Sequence, residues 1–259
     1  MDNKNDWKPE LYLLYKNERT QPSIDLVNRI NIDYNPENII DVGCGPGNST
    51  MILAGRWPFS NFIGVDKSAS MIEKARKDYP DKKWIAADAA EYETETEFDI
   101  VFSNAAIQWM PGHDKLIKKF YSMLSGRGVL AVQIPLFWNM HAGRAIKSVA
   151  RLNRWKEKTE ALENLMTIHN ADFYYDQLSA LFIKVEIWRT DYYHILDSQE
   201  SIVEMLRSTG LKPYLETLDE PDGLLFEEKV LDEIKRFYPL QSNGKVLFPF
   251  QRLFFIGYK

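Results

Sequence analysis

The chain has 259 residues, 45% of them hydrophobic and 27% charged, with 32 basic and 37 acidic side chains giving a formal net charge of -5. That is globular composition, outside the low-hydrophobicity, high-charge corner where chains stay disordered, and its acidic balance excludes broad counterion-driven binding to nucleic acid. The single cysteine, Cys44, excludes an internal disulfide framework and any multi-cysteine zinc site. No apolar run approaches the ~18–20 residues of a membrane span, and the polar start Met1–Asp6 does not read as a signal peptide. The expectation is a soluble, cytoplasmic protein that acts away from membranes and nucleic acid.

In chain order, a short helix is predicted near Pro22–Ile30. From about Asn38 to Pro135, short apolar runs alternate with longer amphipathic ones, which is the rhythm of βαβ units and a parallel sheet. Strands are predicted at Asn38–Val42, Asn61–Val65, Lys83–Ala86, Phe98–Ser103 and Gly128–Ile134, and helices at Asn48–Trp57, Ser68–Tyr79 and Asp114–Leu124. In the last helix Leu116, Ile117, Phe120, Met123 and Leu124 share one face. Val129-Leu130-Ala131-Val132 has the continuous apolar text of a strand buried on both sides.

After Pro135 the rhythm breaks. Residues 136–183 read as helical and aromatic-rich, Lys184–Leu196 as a strand, Ser198–Ser208 and Leu224–Phe237 as helices, and Val246–Tyr258 as a last strand. The expectation is an α/β, Rossmann-like fold in a single domain over residues 1–259. Its core covers about 22–137, 184–196 and 245–259; a helical cover covers about 138–183 and 197–244 and closes a pocket over the strand ends. Open α/β sheets bind ligands at the carboxyl ends of their strands, where the strand order reverses.

The most informative segment is Ile39-Ile40-Asp41-Val42-Gly43-Cys44-Gly45-Pro46-Gly47-Asn48-Ser49-Thr50. A strand runs into closely spaced glycines and then into a helix, so a ligand can lie against bare backbone. The spacing is Gly-x-Gly-x-Gly, not the dinucleotide Gly-x-Gly-x-x-Gly. Asp41 beside the turn repels a pyrophosphate and suits a ligand bearing an ammonium group. Asp66 ends the second strand and is placed to accept from ribose hydroxyls, and Asp88 follows the third strand, placed to accept from an adenine amino group. Any one of these aspartates has an ordinary alternative as a cap or turn residue. Three at successive strand ends, with Asn104 continuing the series, point to a nucleoside-bearing cofactor.

This pattern resembles the class I S-adenosylmethionine-dependent methyltransferases. The resemblance implies a seven-stranded sheet with an antiparallel last strand, helices on both faces, and S-adenosyl-L-methionine over strands one, two and four. It assigns Asp41 and Gly43 to the methionine end, Asp66 to the ribose and Asp88-Ala89 to the adenine, and adds Gly45 and Asn48 to the cofactor-binding set. Lys67 and Met71 fall near the ribose and adenine, and Asn104 and Gln108 complete the cofactor-binding set.

Further segments are similar to the trans-aconitate methyltransferase family. They are Trp7-Lys8-Pro9-Glu10-Leu11-Tyr12, Glu18-Arg19, Asn104-Ala105-Ala106-Ile107-Gln108-Trp109, Val132-Gln133-Ile134-Pro135, Ile187-Trp188-Arg189-Thr190-Asp191-Tyr192-Tyr193-His194, Thr209-Gly210-Leu211-Lys212-Pro213 and Tyr238-Pro239-Leu240-Gln241. The likeness implies methyl esterification of a carboxylate of trans-aconitate or a close relative. Phe137-Trp138-Asn139-Met140 and the charged stretch Arg151–Glu163 depart from it.

The chemistry this implies is undemanding in protons. A carboxylic acid ordinarily loses its proton near pH ~4 and is already ionised at neutral pH, so it attacks the sulfonium methyl with no general base and no catalytic acid or base residue is expected. Positioning, here by Gln108 and Trp109, supplies the rate. A trianion needs cations for its unreacting carboxylates, and arginine meets them bidentately. The candidates are Arg19, Arg189 and Arg252, with Tyr12, Trp109, Tyr192, Tyr193 and His194 completing the substrate set. For the arginines the alternative is a structural acid such as Glu186 or Glu227. Strand geometry puts Arg189 on the face of Tyr193, and Tyr192 on the face of His194.

His113, His141, His169 and His194 show no metal-ligand spacing, so no metal is expected, and Cys44 reads as a small filler in the turn. Three other readings stay open from sequence. They are a methyltransferase acting on a hydroxyl or amine with His194 or a tyrosine as base, a non-catalytic cofactor-binding protein, and a nicotinamide dehydrogenase.

Overall fold

A computed structural model describes residues 16–259, with side chains from Thr20 onward. Tyr12 and the Arg19 side chain, both expected at the substrate, lie outside the described residues. In chain order the elements are α1 (Lys16–Arg29), β1 (Asn38–Val42), α2 (Asn48–Arg56), β2 (Asn61–Asp66), α3 (Ala69–Asp78), β3 (Lys83–Ala86), β4 (Phe98–Asn104), α4 (His113–Ser122) and β5 (Leu124–Pro135). There follow α5 (His141–Ala150), α6 (Lys156–Thr159), α7 (Ala171–Ser179), β6 (Lys184–Leu196), α8 (Gln199–Arg207), α9 (Lys212–Thr217), α10 (Glu220–Phe237) and β7 (Val246–Tyr258).

The strands form one seven-stranded sheet in the order β3-β2-β1-β4-β5-β7-β6. β1 pairs in parallel with β2 and β4, β2 with β3, and β4 with β5. Lys259 N–H donates to the Gly128 carbonyl and Leu136 N–H to that of Gln251, so β7 runs antiparallel to β5. Ile183 N–H donates to the Tyr258 carbonyl, setting the start of β6 against the end of β7. The sheet is mixed, with helices on both faces, as expected. Parallel neighbours need crossover connections, which α2, α3 and α4 provide. Such strands are covered on both faces: Ile39 and Ile40 in β1, Ile100, Val101 and Phe102 in β4, and Val129, Leu130 and Ala131 in β5 are fully buried. The order reverses between β1 and β4, which makes their carboxyl ends the switch point where a ligand belongs.

Three boundaries differ from the sequence expectation by four residues or more. Helix α1 covers Lys16–Arg29 and so runs through Pro22, whereas the proline suggested a start. Strand β5 starts at Leu124, four residues before Gly128, because Leu124 pairs with Phe98 and a register shift between Phe98 and Ile100 absorbs the extra length. Helix α10 starts at Glu220, ahead of its apolar periodicity, because Asp219 caps it by accepting from Asp222 N–H at 2.9 Å and Pro221 sits in the first turn.

The described chain divides into two compact units. One comprises Pro135–Ile168 and Thr190–Arg252; the other takes Asp6–Ile134 as far as it is described, with His169–Arg189 and Leu253–Lys259. In the first, α10 packs on α5, α8 and α9, burying Ile146, Phe226, Val230 and Ile234. Asp222 on α10 receives Arg154 Nε at 2.7 Å and Lys158 Nζ at 2.5 Å. In the second, α1 packs on α2 and α4 on α7. Among the described residues no helix is long and apolar enough to cross a membrane.

Candidate active site

The chain leaves β1 through a turn that glycine makes possible. Gly43 has φ 72° and Gly45 φ 55°, left-handed values that cost a side-chain-bearing residue. A Cβ on Gly43 would collide with the Cβ of Ala106, so the turn after β1 lies directly against the segment after β4. A Cβ on Gly45 would meet nothing within 4 Å: bare backbone faces open space there. The turn is pinned by Gly43 N–H to the Val65 carbonyl at 2.7 Å, and α2 opens at Asn48, which is half-buried. Cys44 is buried with Ile72, Ala75 and Trp84 beneath the turn, the filler role expected of it. A Cβ on Gly64 would strike Trp84; that packing was not legible from the motif.

Asp41, 1% exposed, holds a carboxylate at the floor of this turn. Its Oδ2 accepts from Ser49 Oγ and Thr50 Oγ1, both at 2.6 Å. Its Oδ1 is buried with no partner. Burial raises its pKa to about 6, against the pull of the two hydroxyls, and nearby Asp66 adds to the rise. On the neighbouring strand end, Asn104 Oδ1 is likewise buried without a partner. Gln108, 3% exposed in the short turn Ile107–Trp109, donates Nε2 to the Ala105 carbonyl at 2.7 Å while its Oε1 is left over. Three orphaned oxygens, all acceptors, sit at the carboxyl ends of β1 and β4 and just beyond. Buried acceptors without donors are costly, and the natural complement is a ligand that brings N–H groups and positive charge.

Asp66 ends β2 with both oxygens on backbone donors, Gly45 N–H to Oδ2 and Ser68 N–H to Oδ1, each at 2.8 Å. It therefore ties the glycine turn to the start of α3, where Ser68 accepts from the Met71 N–H and Met71 is buried. Each carboxylate oxygen accepts more than one bond, so Asp66 keeps acceptor capacity beside the backbone donors. Lys67 is exposed and pairs with Asp88 at 2.9 Å, which holds the Asp88 carboxyl below its ordinary range and the lysine above its own. Asp88 Oδ1 also accepts from Ala90 N–H at 2.9 Å, shaping the loop in which Ala89 is buried. Trp109 is half-buried beside Gln108. These cofactor candidates, apart from their sequence spacing, are thus gathered on one sheet end.

The substrate candidates fall differently. Burial alternates along β6: Arg189 and Tyr193 are exposed, Tyr193 by 63%, whereas Tyr192 is half-buried and His194 buried. The period-two expectation holds in the burial pattern from Arg189 to His194. Arg252, 5% exposed, lies 4.6 Å from the Phe250 ring centroid. His194 lies among Phe248 and Phe250, and burial together with the Arg252 charge lowers its pKa to about 4. Of the two acids named as alternative partners, Glu186 pairs with Lys184 and Arg29, and Glu227 with Arg207.

Sequence reasoning missed two features. Ser49 and Thr50 look like ordinary first-turn residues, yet they solvate Asp41. His113, set aside as one of four scattered histidines, is 1% exposed and bonds the Ile107 carbonyl through Nε2 at 2.8 Å. The only prior signal was its place four residues after Trp109.

Residues 39–128 match the model of a methyltransferase domain. Trans-aconitate 2-methyltransferase of Escherichia coli strain 55989 is 39% identical over 252 residues, covering 97% of this chain and 98% of that protein. The protein of the same name from Shigella flexneri is 38% identical with the same coverage. Among solved structures, the YcgJ protein of Bacillus subtilis aligns with a TM-score of 0.63 at 14% identity, covering 92% of this chain and 98% of that one. The last comparison concerns the fold alone; the two named relatives match nearly from end to end. The chain belongs to the trans-aconitate 2-methyltransferase family.

Proposed function

We propose that the protein transfers a methyl group from S-adenosyl-L-methionine to a carboxylate oxygen of trans-aconitate, giving a monomethyl ester, and that it does so as a cytoplasmic monomer. The observation that carries the reading is the near full-length likeness to relatives named for that acceptor. The orphaned acceptors of Asp41, Asn104 and Gln108 fit the cofactor.

When bound, S-adenosyl-L-methionine supplies a methyl group on a positively charged sulfur. Asp41 Oδ1 receives its ammonium; Gly43 and Gly45 let it lie on backbone, with Asn48 beside them. Asp66 accepts from the ribose, with Lys67 and Met71 alongside, and Asp88 and Ala89 meet the adenine. Asn104 and Gln108 present carbonyl oxygens, and Gln108 and Trp109 orient the reacting group. The acceptor is an ionised carboxylate, so the protein need not remove a proton; holding nucleophile and methyl in line can supply ~7–11 kcal/mol. Arg252 and His194 are the substrate's cation and donor in this reading, with Arg19, Tyr12, Arg189, Tyr192 and Tyr193 as further candidates. A hydroxyl or amine acceptor would need a base, and His194, with its pKa lowered to about 4, is a weak one.

The test is mass spectrometry of products after incubation with methyl-labelled cofactor and trans-aconitate, cis-aconitate or citrate. Labelled monomethyl trans-aconitate is the expected product. Cofactor binding without turnover on any of the three would overturn the proposal.

A further inference from the structure

The turn bearing Gln108 and Trp109 is strained at one end and fastened at the other. Ala105, with φ 54°, is the one non-glycine residue with positive φ among the described residues, and such conformations persist only where the surroundings enforce them. Its N–H donates to the Gln133 carbonyl at 2.9 Å, and its own carbonyl receives Gln108 Nε2. Within the turn, Trp109 N–H donates to the Ala106 carbonyl at 3.0 Å and Met110 N–H to that of Ile107 at 2.8 Å.

The Ile107 carbonyl accepts a second bond, from His113 Nε2 at 2.8 Å. A carbonyl cannot donate, so Nε2 carries the proton and, in the neutral ring, Nδ1 is the acceptor. Tyr174 Oη, 2.7 Å from Nδ1, is then the donor. Tyr174 is fully buried on α7, stacked on Phe255 with centroids 4.8 Å apart. The groups facing His113 are His169 at 5.4 Å between centroids, Asp114, the Ile107 and Met110 backbone, and Tyr174. Burial and His169 outweigh the backbone and Asp114 and keep the imidazole neutral. The result is a buried chain, from tyrosine hydroxyl to imidazole to carbonyl, that ends on the residue preceding Gln108.

We propose that His113 and Tyr174 are positioning residues for methyl transfer: Tyr174 fixes the His113 tautomer, and His113 holds the Ile107 carbonyl so that the strained turn keeps Gln108 and Trp109 in place. The catalytic consequence rests on the proposed function; the clamp itself does not. Tyr174→Phe removes one O–H and keeps the ring stack. His113→Phe removes the carbonyl bond, and His113→Gln restores an amide donor toward it.

Two readouts separate the claims: amide hydrogen exchange of residues 104–112, and kcat and KM on trans-aconitate. Tyr174→Phe and His113→Phe should speed exchange in that segment selectively and lower kcat by about tenfold or more with KM within about twofold, since small misplacements act on the rate. His113→Gln should recover most of both losses. Wild-type exchange and kcat in Tyr174→Phe would overturn the proposal, as would a His113→Gln enzyme no better than His113→Phe. If His113→Phe fails to fold, Tyr174→Phe decides. If the unaltered protein does not methylate trans-aconitate, the proposed function falls, and the exchange of residues 104–112 in Tyr174→Phe alone upholds or sinks the clamp.

Discussion

A carboxylate that is nearly inaccessible to water, with one oxygen solvated by two hydroxyls and the other by nothing, is an expensive thing to keep. Asp41 has its pKa raised to about 6, so the folded protein binds its proton more tightly than the unfolded chain does. Its contribution favours the fold below about pH 4 and is lost as pH rises to about 6. A cationic ammonium on Oδ1 reverses that balance. S-adenosylhomocysteine, which keeps the ammonium, should therefore bind more weakly as pH falls from about 7 to 5. Asp41→Asn should abolish this slope and weaken binding at neutral pH by roughly tenfold or more, while the apo melting temperature holds or rises. Calorimetric titration and thermal unfolding check both; undiminished affinity in Asp41→Asn would remove the residue from the site. Arg252→Lys keeps the charge and loses the planar fork. It should raise KM for trans-aconitate by about tenfold and leave the S-adenosylhomocysteine Kd unchanged, whereas equal shifts in both would mark the arginine as structural. At this scale the sequence carries types and spacing: Asp41, Asp66 and Asp88 announce themselves at strand ends. It does not carry partners. That Asp66 spends both oxygens on backbone N–H groups, or that Asp88 pairs with Lys67, follows from loop geometry that no periodicity encodes.

The elements were legible where burial imposes a period. Strand β1, the centre of β4 and the second half of β5 read as apolar runs because they are covered on both faces, and β6 alternates from Arg189 onward because one side is exposed. What escaped were starts set by caps rather than by apolar pattern. Helix α10 begins four residues before its apolar face does because Asp219 and Pro221 organise its first turn. Asp219→Ala should lower stability by about 1 kcal/mol, read as a few degrees in melting temperature, with kcat unaltered; a change in kcat without loss of stability would contradict the capping role. Strand β5 starts early for a comparable reason, since Leu124 is recruited by Phe98 across a register shift. Helix α9 is too short to show a period at all.

For the whole molecule, the switch point between β1 and β4 collects the cofactor candidates from four strand ends, and a fold of this order places them there whatever the chain acts upon. The acceptor is not written in the sheet. It enters through the likeness to the family, which covers 97% of the chain. In the proposed reaction the protein positions an ion already competent to react and performs no proton transfer. His194, with its pKa lowered to about 4 by burial and Arg252, does not change charge across the neutral range. The most direct test is the pH dependence of single-turnover methyl transfer to trans-aconitate at saturating cofactor. The rate should be flat from about pH 6.5 to 8.5, since a carboxylate of pKa about 4 stays ionised throughout. A tenfold rise in rate per pH unit anywhere in that interval would reveal an essential base and contradict the proposed chemistry.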